Sequence, residues 1–179
     1  MNTRTQVRRN LILIGFMGTG KTSVGRCVAQ SLGFDFVDTD QLIEEKEGRK
    51  ISAIFEKEGE IAFREMERDA LRDCARGERQ VISTGGGIVT QPQNIEILRD
   101  AGYVIWLQAS PQIIYERVRR AQHRPLLQTS DPLATIEKLI AERGILYREA
   151  AHFEITTDNL TLDETCFGVT ESARLALGA

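Results

Sequence analysis

The chain has 179 residues, 41% of them apolar and 27% charged, with a formal net charge of −3. That is the size of one domain with one sizeable core. The acidic balance excludes a nucleic-acid partner held by bulk charge, and no apolar run approaches the roughly 20 residues of a membrane span. The basic start, MNTRTQVRRN, leads into an apolar stretch too short for a signal peptide and without a small-residue cleavage site, so a cytoplasmic protein with a short N-terminal arm is expected. Cys27, Cys74 and Cys166 are odd in number and far apart, and only His123 and His152 could join them at a metal. Neither a disulfide framework nor a zinc site is expected; each cysteine reads as a small buried side chain.

In chain order, the unbroken β-branched run NLILIG (10–15) predicts a buried strand, and 21–32 a helix ending at Gly33. FDFV (34–37) is a second short strand. Residues 40–47 read as a helix stopped by Gly48, and ISAIFEKEG as a short helix with Ser52 as its cap. A long charged helix follows over 60–76, with Ile61, Met66, Ala70 and Cys74 toward its inner face. QVIST (80–84) is a third strand, and Pro92 opens a helix to about Arg99. YVIWLQ (103–108) is a fourth strand. Ser110-Pro111 starts a helix to about Arg120, as a cap followed by a first-turn proline. After the loop AQHRPLLQTSDP, Asp131-Pro132 opens a helix to about Ala150; HFEITT is a fifth strand and 161–177 a closing helix. Strand and helix in alternation predict an α/β fold, a parallel sheet covered on both faces.

Residues 15–22, GFMGTGKT, match the phosphate-loop pattern G-x-x-x-x-G-K-[ST] between a strand and a helix. Gly15, Gly18 and Gly20 let backbone N–H groups turn toward phosphate oxygens, and the helix that follows adds its positive end. Lys21 reaches the outer phosphates, and the Thr22 hydroxyl suits Mg²⁺, a hard ion that takes oxygen. This names a phosphate donor and leaves the acceptor open. VDTD puts Asp38 and Asp40 at the C-terminal end of the second strand, the end where such sheets bind ligands. The third strand ends without a carboxylate, which makes Asp38 the better candidate to hold Mg²⁺ through water and Asp40 the candidate to accept a proton from a hydroxyl. Aspartate is also a common helix cap, so one of the two alternatively caps the next helix. STGGGIV allows close backbone approach to a ligand.

Arg64 and Glu67, three apart in FREME, share one helical face. RVRRAQHRPLL offers Arg117, Arg119, Arg120 and Arg124, with Arg124 placed like a lid residue that could close over a transferring phosphoryl group; Arg143 sits in AERGILYREA.

The segments GFMGTGKTSVGR, DTD, IFEKEGEIAFREME, STGGGIV, RPLL and ERGILYREAA, in this order and spacing, resemble shikimate kinase over about residues 10 to 178. The resemblance implies one domain in three αβα layers around a five-stranded parallel sheet of order 2-3-1-4-5, as in nucleoside monophosphate kinases. It implies a substrate segment over about 40–76 and a mobile lid over about 119–131. The implied reaction is ATP-dependent phosphorylation of the shikimate 3-hydroxyl, on the way to chorismate and the aromatic amino acids, with ATP and Mg²⁺ required. By the same resemblance, Gly18, Thr19, Gly20, Lys21, Thr22 and Ser23 hold the ATP phosphates, Thr22 and Asp38 the Mg²⁺. Asp40 contacts the shikimate hydroxyls and acts as base. Arg64 and Arg143 pair with the carboxylate, Gly86 and Gly87 offer N–H groups, Phe55 and Phe63 wall the pocket, and Glu67 orients Arg64. Lys21 and Arg124 stabilise the γ-phosphoryl, and Arg120 packs on adenine. Asp158 and Asn159 stay unassigned.

The expected partner is the small-molecule substrate alone, with no nucleic acid or membrane, and a monomer is the default. The alternatives are a related small-molecule kinase, such as a gluconate or nucleotide kinase, and a nucleotide-binding module without catalysis. A GTP switch would need N-K-x-D and D-x-x-G, and neither occurs.

Overall fold

The computed structural model describes residues 10–119 and 129–178. Its elements are β1 (Asn10–Ile14), α1 (Lys21–Leu32), β2 (Asp35–Asp38), α2 (Thr39–Glu47), α3 (Ile51–Ala75), β3 (Gln80–Ser83), α4 (Pro92–Ala101), β4 (Gly102–Gln108), α5 (Pro111–Val118), α6 (Pro132–Ala150), β5 (Phe153–Thr156) and α7 (Leu162–Leu177). The sheet order is β2-β3-β1-β4-β5, with every pairing parallel, as expected.

The period of two along β1 builds the three layers. Ile12 and Ile14 face one side of the sheet, packed with Leu71 of α3, Leu98 of α4 and Tyr147 of α6. Leu11 and Leu13 face the other, with Val24 and Val28 of α1 and Val169 and Ala173 of α7. Because both faces are covered, Leu11 to Ile14 of β1 and most of β4 are apolar, the signature of a central parallel strand.

Several local expectations are corrected. β2 runs from Asp35 to Asp38, one residue later than FDFV, because Phe34 gives its N–H to Ala29 in closing α1 and the register pairs Asp38 with Ser83. Ser52 does not cap α3. Lys50 holds the cap position without a side-chain bond, and the Ile51 N–H goes instead to Glu44 Oε1 at 3.0 Å. The two helices read over 51–59 and 60–76 form one continuous element, α3, interrupted at Gly59, whose φ of 81° and ψ of 178° break the helical geometry. Ile61 is 81% exposed, because the buried face of that helix carries Phe63, Arg64, Glu67, Leu71 and Cys74. Ser110 occupies the N-cap of α5 without a cap bond from its side chain; its N–H donates to Asp158 Oδ1 at 2.8 Å.

The cysteine reading is also corrected. Cys74 is a free, buried thiol, but Cys27 of α1 and Cys166 of α7 form a disulfide, their Cα atoms 6.1 Å apart. The two helices lie side by side on one face of the sheet, an adjacency that 139 residues of sequence separation conceal.

Candidate active site

All the phosphate- and acceptor-site elements converge at the C-terminal ends of β1, β2 and β3. After β1 the chain turns through Gly18 (φ 78°) and Gly20 (φ 96°), left-handed conformations in which a side chain is strained. Inside this loop Lys21 Nζ donates to the carbonyls of Gly15 and Phe16 at 2.8 and 2.9 Å. The Thr19 hydroxyl also goes to Phe16 O, at 2.8 Å, so it props the loop rather than facing a ligand. Thr22, exposed at the start of α1, donates its hydroxyl to Asp38 Oδ2 at 3.0 Å. The other oxygen of Asp38 caps α2, accepting from the N–H groups of Asp40 and Gln41 at 3.1 and 3.4 Å. Asp38 is thus the cap of α2 through one oxygen and the partner of Thr22 through the other. Ser23 is exposed on α1, beside Thr22.

Asp40 follows in the first turn of α2. Its Oδ1 is buried with no hydrogen-bond partner among the described residues. Burial, with the charges of Glu67 and Asp38 adding to it, pushes its carboxyl up to about 7 against the pull of Lys21 and Arg64. Glu67, only 1% exposed, is also raised, chiefly by burial, while Arg64 and Arg143 pull it back. The Arg64 guanidinium is fixed by Glu67 Oε2 at 2.8 Å and by Glu60 Oε1 at 2.8 Å. It lies flush against Gly87, where any Cβ would enter the guanidinium. Arg143, on α6, donates to Gly86 O at 3.2 Å and stands over the Phe16 ring. Phe55 and Phe63 pack with centroids 4.6 Å apart. Asp38, Asp40, Phe55, Phe63, Arg64, Gly86, Gly87 and Arg143 line one cleft of about 1290 Å³.

The profile of the shikimate kinase family matches residues 17–173. The chain belongs to the shikimate kinase family. A shikimate kinase from Thermodesulfovibrio yellowstonii is 47% identical over 87% of this chain and 90% of its own length. One from Symbiobacterium thermophilum is 45% identical over 90% of this chain and 94% of its own. The solved structure of a shikimate kinase from Acinetobacter baumannii in complex with shikimate superimposes with a TM-score of 0.88 at 38% identity, covering 97% of this chain and 95% of that one.

Against that family, two named positions, Arg120 and Arg124, and most of the segment read as a lid lie outside the described residues. Arg117 Nη1 donates to Gly18 O and to Thr157 Oγ1, both at 3.3 Å, tying the phosphate loop to the end of β5. Three further residues at the site escaped the sequence reading. Thr39 accepts the Gly85 N–H at 3.3 Å, Met17 enters the acceptor cleft from the phosphate loop, and Tyr147 reaches the Gly86 carbonyl. Only Tyr147 carried a usable signal, lying one helical turn after Arg143.

Proposed function

We propose that the chain transfers the γ-phosphoryl group of ATP to the 3-hydroxyl of shikimate by direct in-line displacement, with Asp40 as the proton acceptor. The observation that carries this reading is the position of Asp40. It lies in one cleft with Arg64 and Arg143, within the field of Lys21, and has a carboxyl poised near neutral pH.

Shikimate is a small carboxylate bearing hydroxyls. Arg64 and Arg143 offer planar forks to its carboxylate, and Glu67 and Glu60 fix the first of them so that little freedom is lost on binding. Asp40 accepts from the hydroxyls and takes the proton as oxygen attacks phosphorus. Gly86 and Gly87 offer N–H groups, and Phe55 and Phe63 close the apolar wall. Backbone N–H groups of Gly18 to Thr22, with Ser23 beside them, hold the phosphates at the N-terminus of α1, and Lys21 leaves its loop carbonyls for the γ-phosphoryl oxygens. Arg124 adds charge there and Arg120 packs on adenine.

The residues present fit Mg²⁺. The Thr22 hydroxyl and Asp38 carboxylate stand side by side, and among the described residues no group of three or more His, Cys, Asp or Glu forms a cage. That is the donor set of an ion that keeps water and phosphate oxygens as its other ligands. When bound, Mg²⁺ neutralises phosphate charge. Segment 40–76 serves the acceptor, in one cytoplasmic, monomeric domain.

Supplying the purified protein with Mg·ATP and shikimate, gluconate or AMP in turn tests the reading: ADP should appear with shikimate alone. Turnover of gluconate without turnover of shikimate would overturn the acceptor, and no ADP with any acceptor would make the chain a binding module.

A further inference from the structure

The glycine turn after β3 is held from behind by α6. The Gly86 carbonyl accepts two bonds from that helix, one from Arg143 Nη1 at 3.2 Å and one from the phenol of Tyr147. Tyr147 is 1% exposed and its ring stacks on Trp106 of β4, centroids 5.4 Å apart. Burial pushes the phenol above its usual range, so at any working pH it is a donor. A buried aromatic anchored on the central sheet and aimed at one backbone oxygen is a rigid reference point, with two side-chain torsions locked by packing.

The geometry of the peptide carries the consequence. The Gly86 carbonyl and the Gly87 N–H belong to one planar trans unit, and the described chain has no cis bond. In such a unit the two groups point in opposite directions. Drawing the carbonyl toward α6 therefore turns the Gly87 N–H away from α6. The neighbouring faces of the turn are already occupied. A Cβ on Gly86 would come within 3.1 Å of Met17 N in the phosphate loop, and one on Gly87 would enter the Arg64 guanidinium. The peptide is thus wedged between the donor loop and the acceptor arginine, and its remaining freedom is rotation about its own axis. The bond from Tyr147 removes that rotation.

Arg143 cannot do this alone. Its guanidinium is the group proposed to take the substrate carboxylate, and engaging that carboxylate draws it from the Gly86 oxygen. The Tyr147 phenol also lies beside Arg143, but it has no substrate carboxylate to take.

We propose that Tyr147 is a positioning residue of the acceptor site, holding the Gly86–Gly87 peptide so that the Gly87 N–H faces the acceptor while Arg143 is committed to substrate. This rests on the reading that Gly87 donates to the acceptor.

Tyr147→Phe keeps the ring and its stack and removes one donor. The KM for shikimate should rise roughly five- to tenfold, the scale of one net hydrogen bond. The KM for ATP should stay within about twofold, and the Gly87 amide resonance should shift in the free protein. Replacing Tyr147 with 4-aminophenylalanine, which restores an N–H donor at the same place, should recover much of the shikimate KM. Trp106→Phe, which loosens the stack and spares the hydroxyl, should lower Tm without separating the two KM values. A shikimate KM unchanged in Tyr147→Phe would overturn the proposal. So would a rise of both KM values together with the Tm loss of Trp106→Phe, or a Tyr147→Phe chain that does not fold, since each makes the hydroxyl a structural support only. If the wild-type Gly87 amide does not move on adding shikimate, the underlying reading of Gly87 fails, whatever Tyr147 does.

Discussion

Asp40 and Glu67 bring their unpartnered oxygens, Oδ1 and Oε1, to the same glycine. A Cβ on Gly85 would lie 2.7 Å from Asp40 Oδ1 and would collide with Glu67 Oε1. The buried Glu67 carboxylate disfavours charge on Asp40 and adds to burial in raising it, while Glu67 itself is raised chiefly by burial. Arg64 bonds Glu67 directly and answers part of that charge, so the site places its strongest compensation on Glu67 and leaves Asp40 free to accept a proton.

The pH dependence follows from that arrangement. With its carboxyl at about 7, Asp40 is protonated below that point and cannot act as base. kcat/KM for shikimate, which reports the free protein, should fall about tenfold for each pH step below 7 and level off above it. The residual activity of Asp40→Asn should lack the inflection. A wild-type profile flat between pH 5.5 and 8 would remove Asp40 from the role.

The same group should cost stability. A carboxyl raised in the folded state favours folding when protonated, and that contribution is lost as pH rises through the folded value. The window runs from 3.8, the ordinary value, to about 7. The full difference corresponds to roughly 4 kcal/mol as an upper scale. Asp40→Asn should therefore have a higher Tm than wild type at pH 8, by several degrees, while losing most of kcat and keeping ATP binding. Its advantage should vanish near pH 4. A lower Tm for the variant at pH 8 would mean that the carboxylate is better compensated than its surroundings indicate.

How much of this was legible in the sequence depends on how local each cause is. The alternation of strand and helix was written along the chain: β1 and β4 are largely apolar on both faces, and the phosphate-loop glycines fix where the first strand turns, whereas the strand order came from the family resemblance. Asp38 and Asp40 were legible because the strand end that carries them is the ligand end. Ile61 misled because an apolar residue at roughly helical spacing looks buried, whereas the face that turns inward also carries Arg64 and Glu67, a buried charged pair. Ser52 misled because Glu44, from the preceding helix, had already taken the Ile51 N–H at the helix start. The Tyr147–Gly86 bond and the Cys27–Cys166 bridge were hidden, since each depends on which helices become neighbours across the sheet.

The two acceptor arginines should separate in their side effects. Arg64→Ala and Arg143→Ala should each raise the KM for shikimate about 10- to 100-fold, the scale of a charged bidentate contact, and the KM for ATP much less. Only Arg64→Ala also strands Glu67, a buried carboxylate, and should lower stability by roughly 3–5 kcal/mol. Arg64→Lys should not rescue, because one ammonium cannot span Glu67, Glu60 and a substrate carboxylate. Equal effects of Arg64→Ala on both KM values would reduce Arg64 to a structural ion pair.

The cross-link between α1 and α7 makes stability depend on redox conditions. It joins the helix that begins at the phosphate loop to the closing helix, across 139 residues of chain. In the loop-entropy account a bridge of that span contributes about 4–5 kcal/mol by restricting the unfolded chain. Protein held oxidised should melt well above the same protein in dithiothreitol. Cys27→Ser should remove that difference, and Cys74→Ser, which touches the free buried thiol, should preserve it. Thiol titration of the denatured, unreduced protein gives the direct count: one free thiol if the bridge is formed, three if it is not. Three thiols in protein taken rapidly from freshly lysed cells and one after air oxidation would place the bridge outside the working enzyme. Equal melting temperatures of oxidised wild type and Cys27→Ser would show that the bridge adds nothing to the packing already present between α1 and α7.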